Sequence, residues 1–62
     1  MDSEQFLGLT KNGAQNLAEV NNLIFRLIRI DDKNMFGYPE DNRDDRICIE
    51  IEKGAVVKAV LQ

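Results

Sequence analysis

The chain has no histidine, and its only aliphatic hydroxyls are Ser3 and Thr10. A Ser or Cys nucleophile normally needs an adjacent base oriented by a third group. Cys48, the single cysteine, has no histidine to serve it, so an enzyme is not expected and Cys48 reads as a small apolar filler. One cysteine also excludes any intramolecular disulfide. Small secreted domains commonly depend on such staples, which points to a reducing compartment and a cytoplasmic location, with export of a mature form left open. No basic-then-apolar leader opens Met1-Asp2-Ser3-Glu4-Gln5. No apolar run approaches the roughly 20 residues that span a bilayer, so no membrane partner is expected. The eight Lys and Arg are scattered through a chain of net charge −3. Nucleic-acid binding needs cations clustered on phosphates and is excluded.

What is present suits one small folded domain. The chain has 62 residues, 44% of them hydrophobic and 31% charged. A chain of about 60 residues buries only roughly 60% of its unfolded surface, so modest stability is expected. Residues 1–9 read as an arm whose Phe6, Leu7 and Leu9 tuck against the core, with Gly8 allowing a bend. Thr10 is placed to cap a helix, with Leu9 and Ala14 as a hydrophobic staple. Ala14, Leu17, Ala18 and Asn21 recur at spacings of three and four, predicting a helix over about 11–21 that stops at Asn21-Asn22.

Leu23 to Ile30 is apolar on both sides except at Arg26 and Arg29, the pattern of a central strand. Arg46 to Glu52 alternates, with Ile47, Ile49 and Ile51 on one side and Arg46, Cys48, Glu50 and Glu52 on the other. Lys53-Gly54 is a turn signal, and Ala55 to Leu61 completes a hairpin. The expected class is α+β: one helix on a small mixed sheet of about three strands. Parallel strands need a connection of a dozen or more residues. Residues 31–45 have that length, so strands 23–30 and 46–52 are expected to lie parallel, with the loop arching over one end.

That loop has no periodicity, yet it carries the single proline, Pro39, and six of the eleven acidic residues. Most loops in compact domains run to about 4–6 residues, and much longer ones are usually functional or disordered. The acidic pairs Asp31/Asp32 and Asp44/Asp45 read as solvated charge, since acid/base work requires one partner to be desolvated. A calcium loop starting at Asp32 would have Asn34 and Gly37 in place, but Arg43 stands where a bidentate glutamate is required. No metal site and no cofactor are expected.

Arg43-Asp44-Asp45-Arg46, followed by the alternating Ile47-Cys48-Ile49-Glu50-Ile51 strand, resembles a signature of the potato inhibitor I family of serine protease inhibitors. The likeness is closer to its bacterial, disulfide-free relatives, peptidase inhibitor family I78. Gly8-Leu9-Thr10, Ala14 with Ala18, and Arg26-Leu27-Ile28-Arg29-Ile30-Asp31 match further parts of that pattern, and together the resemblance covers about residues 7–60. It implies an exposed loop that enters a protease cleft like a substrate and is cleaved very slowly. Counting back from Arg43, it places the scissile bond between Glu40 and Asp41. Tyr38, Pro39, Glu40, Asp41 and Asn42 then meet the protease, and Arg43 and Arg46 support Asp41 from the strand below. A glutamate in the specificity position implies a glutamate-preferring serine protease.

The chain departs from the family in three ways. Pro39 replaces the usual threonine, Val60-Leu61-Gln62 replaces a terminal glycine, and the loop is about two residues longer. A shifted register would make Tyr38 or Phe36 the specificity residue. The alternative function is a non-inhibitory interaction module on the same scaffold, docking a partner through the acidic loop or a sheet edge. The expected oligomeric state is a monomer or weak homodimer.

Overall fold

A computed structural model describes residues 2–62. Asp2 caps a single 3-10 turn, Ser3–Phe6, which drives the Phe6 ring into the core. Leu7, expected to follow it inward, stays 48% exposed. Leu7 is the extended residue that ends the turn, and the inward direction is already taken by Phe6. Gly8 bends the chain at φ +82, and Leu9 packs against the core.

Helix α1 spans Lys11–Val20. The Thr10 hydroxyl accepts the Gly13 N–H at 3.1 Å, satisfying one of the orphan donors of the first turn. Ala14 and Ala18 are the fully buried positions, and their short side chains let the helix sit close on the sheet. The helix stops one residue short of the expected end, with Asn21 as C-cap and Asn22 left-handed at φ 57. No helix among the described residues is long and apolar enough to cross a membrane.

Four strands follow: β1 Ile24–Ile30, β2 Lys33–Asn34, β3 Arg46–Glu52 and β4 Ala55–Leu61, in the sheet order β2-β1-β3-β4. β1 and β3 are parallel, as expected, and β4 returns antiparallel to β3. Lys53 and Gly54 both have positive φ, 52 and 78, so the hairpin closes through the two-residue turn whose twist matches that of the strands. The fold is α+β with one strand more than expected. The extra strand comes from the start of the region read as loop: Asp31, at φ 52, reverses the chain with Asp32 so that Ile30 pairs with Lys33. Aspartate tolerates that conformation. The Asp31 carboxylate then accepts the Lys53 N–H at 2.8 Å, joining the two turns at that end of the sheet.

One irregularity decides which side chains share a face. The β1–β3 register shifts between Leu27 and Arg29, leaving Ile28 as an extra residue. In a regular strand Arg26 and Arg29, three apart, would point to opposite faces. With the bulge between them, Arg26 lies opposite Cys48 and Arg29 opposite Glu50, on the same face.

The other face is the core, where Leu27, Ile47, Ile49, Ile51 and Val56 pack with Phe6, Ala14 and Ala18. Fully burying one such Ile or Leu side chain is worth about 1.5–3 kcal/mol. Because β1 and β3 are parallel, the chain must travel roughly 20 Å back along the sheet between them. With α1 on one face, it travels across the other. The loop therefore lies over the Arg26, Arg29, Arg46, Cys48 and Glu50 face instead of arching over one end. That cover is why Cys48 is fully buried on what would otherwise be an open surface. Burial pushes its thiol pKa up, opposed by Arg46 and Arg26, which suits an unreactive filler.

Candidate functional site

From Met35 to Asp45 the backbone has no helix or strand, only bends at Phe36, Glu40–Asp41 and Asp44–Asp45. It is nevertheless tied to the sheet at intervals. The Ile28 carbonyl, at the bulge, accepts the N–H groups of Met35 and Phe36 at 2.9 and 3.3 Å. Further along, every second carbonyl is held by a long side chain rising from the sheet. Arg26 Nε donates to Gly37 O at 3.1 Å, Gln62 Nε2 to Pro39 O at 3.2 Å, and Arg46 Nη2 to Asp41 O at 3.0 Å. The Tyr38 and Glu40 carbonyls each lie between two of these tethers, and no protein donor among the described residues engages either.

Arg46 is the main support. It opens β3, is 9% exposed, and reaches acceptors on two sides. Its Nη2 also meets the Asp41 carboxylate at 3.1 Å, while Nε and Nη2 both donate to the Gln62 carbonyl at 3.0 and 2.8 Å. Such charge-assisted bonds from one planar fork fix direction as well as distance. The Arg46 hydrogen bond holds the Asp41 carboxyl below its ordinary pKa. The Gln62 N–H in turn donates to the Arg46 carbonyl at 3.0 Å, so β3 and the residue after β4 clamp each other beneath the loop.

Arg43 does not join it. Its guanidinium takes the Asp45 carboxylate two-pronged, at 2.7 and 2.8 Å, with both side chains nearly half exposed. Asp45 stands two residues away and offers a fork-to-fork match, whereas Asp41 is already engaged from below by Arg46. The pairing of Asp41 with both arginines is thus corrected to a pairing with Arg46 alone. The acidic pairs are likewise structural: Asp31 builds a turn and Asp45 anchors Arg43.

Tyr38 was expected to face a protease. It is 36% exposed, but its hydroxyl donates to Glu50 Oε2 and its ring lies 5.3 Å from the Lys58 ammonium. Glu50, only 15% exposed at its side chain, also accepts Arg29 Nε at 3.0 Å, with Lys58 Nζ 3.8 Å from Oε2. The hydrogen bonds from Tyr38 and then Arg29 keep the Glu50 carboxyl below its usual pKa. Burial, followed by the Glu50 contact, pushes the Tyr38 hydroxyl up. Tyr38 is a latch at the upstream end of the segment. Pro39 is half-buried, and Glu40, Asp41 and Asn42 are exposed.

Arg26, Gln62, Glu50 and the latching role of Tyr38 were not foreseen as loop supports. The bulge that brings Arg29 onto the loop face beside Arg26 leaves no mark in hydrophobic periodicity, and Gln62 reads only as the residue after a strand. Glu50, on the polar side of an alternating strand with Arg46 and Glu52, was the one available hint, because a charge under a covered face needs partners.

No family model, curated protein or solved structure matches the chain. The site must therefore be read from its own geometry. It has an exposed backbone segment held at alternate carbonyls, and acidic side chains at its crest.

Proposed function

We propose that this protein is a serine protease inhibitor whose segment Tyr38–Asn42 occupies the substrate cleft, with Glu40 in the specificity pocket and Glu40-Asp41 as the slowly cleaved bond. The observation that carries the reading is the placement of the Glu40 carbonyl. An acyl-transfer enzyme must draw the scissile carbonyl into its oxyanion hole. Here the carbonyls on either side are held down by Gln62 and Arg46, and the Glu40 carbonyl between them, like that of Tyr38, accepts no bond from the described residues. A loop already ordered in this way loses little entropy on binding, which strengthens association. The same tethers hold both ends of a cleaved bond in register and favour religation.

The alternative is a non-inhibitory binding module on the same scaffold, working through the acidic loop or a sheet edge. The outer side of β4 is already engaged at Val56, which accepts the Gly8 N–H at 2.9 Å and donates to Leu9 O at 2.8 Å. Capping of this kind blunts an edge.

The test is inhibition of a serine protease panel that includes a glutamyl endopeptidase. The expected result is tight, slow-dissociating inhibition of that enzyme and a switch toward trypsin-like enzymes in Glu40→Arg. Absence of inhibition across the panel at micromolar protein sinks the proposal.

A further inference from the structure

Upstream of Glu40 the loop shows water a run of apolar side chains: Met35 at 43% exposure, Phe36 at 60% and Tyr38 at 36%. Tyr38 is engaged by Glu50. Phe36 is the most exposed of the three, and its ring has one partner among the described residues. The Arg26 guanidinium carbon stands 5.6 Å from the ring centroid, within cation–π range. The Phe36 N–H is held by the Ile28 carbonyl, and the following carbonyl, that of Gly37, is held by Arg26. One arginine thus backs the ring and clamps the adjoining peptide, while most of the side chain faces solvent. An aromatic ring left in water forgoes its burial energy until something covers it. Holding it still in advance removes the ordering cost that a partner would otherwise meet.

We propose that Phe36 is a second anchor of the interface, a specificity-determining contact that enters an apolar site on the same protease upstream of the pocket for Glu40. This rests on the inhibitor reading. Four residues of chain span at most roughly 13 Å, which sets the upper limit on the separation between the cationic pocket and the apolar site. The occupant follows from continuity, because Phe36 to Asp41 is one tethered backbone and a cleft that receives the Glu40 carbonyl extends along it. A second copy of this chain fits poorly, since its net charge of −3 and its own acidic loop would bring like charges together.

The test compares the wild-type chain with Phe36→Ala, Phe36→Leu and Glu40→Ala as inhibitors of a glutamyl endopeptidase. Association and dissociation rates and the rate of loop cleavage are followed for each. Phe36→Ala is expected to weaken inhibition roughly tenfold through faster dissociation, in the range typical of an interface anchor. Phe36→Leu should recover most of the loss, and the thermal midpoint should fall in both variants by no more than the few degrees that an exposed contact with Arg26 is worth. Wild-type inhibition that Glu40→Ala abolishes and Phe36→Ala leaves intact overturns the anchor while sparing the inhibitor reading. A Phe36→Ala loop that is simply cut faster shows that the ring only stiffens the loop, and also overturns the anchor. A wild-type chain that inhibits nothing overturns both.

Discussion

Two arginines three residues apart illustrate how little a charge pair means until its surroundings are known. Arg46 is buried and serves the Asp41 carbonyl, the Asp41 carboxylate and the Gln62 carbonyl, whereas Arg43 makes one well-formed but half-exposed pair with Asp45. Removing Arg46 strips several partly buried acceptors of their donor, and each hydrogen bond from a charged group is worth about 1.5–3 kcal/mol at most. Arg46→Ala should therefore cost about 2–3 kcal/mol. Arg43→Ala should cost much less, as exposed pairs do. In a domain this small, 1 kcal/mol moves the thermal midpoint by about 4–8 °C. The two variants should thus separate clearly in a melting experiment. Equal shifts would mean that Arg46 is not the principal support.

Among the elements, the β3–β4 hairpin carries a removable strain. Lys53 sits at φ 52 in the first position of its turn, where a residue with an ordinary side chain is disfavoured and Asn is preferred. Lys53→Asn keeps the backbone N–H that Asp31 accepts. It should raise stability by about 0.5–1 kcal/mol, read as a higher denaturation midpoint with an unchanged slope; a lower midpoint would show that the lysine side chain contributes something the turn geometry does not reveal. The turn itself was legible in Lys53-Gly54, as were the helix start at Thr10, the parallel pair and the Ile47, Ile49, Ile51 core face. Each of these depends on local chemistry or on a period that the residues display directly. What stayed hidden depends on departures from period. The extra residue at Ile28 brings Arg26 and Arg29 to one face, and a left-handed Asp31 converts the start of the loop into β2. Arg29 meets Glu50 only because of that bulge, and Gln62 finds Pro39 only because the loop crosses the sheet face, so most of the loop's underpinning could not be located in advance.

For the molecule as a whole, the loop and the sheet behave as one unit joined by ionised carboxylates, which makes their union sensitive to acid. Asp41 and Glu50 are both held below their ordinary values of 3.8 and 4.5, the first chiefly by Arg46 and the second by Tyr38 and Arg29. A carboxyl with a depressed pKa in the folded state binds its proton less readily there than in the unfolded chain. Its stabilising effect is complete above the unfolded value and is lost as pH falls through the folded one. Stability should hold steady from pH 7 to about pH 5 and decline below about pH 4.5. Other acidic groups also titrate in that window, so the contrast with Glu50→Gln carries the argument. At neutral pH the variant should be the weaker of the two, with faster amide exchange between Gly37 and Asp41. As pH drops toward 3, wild type should lose its advantage and the two denaturation midpoints converge. A gap that persists unchanged into acid would show that Glu50 holds Tyr38 and Arg29 by something other than its charge. The loop would then owe its order to packing alone.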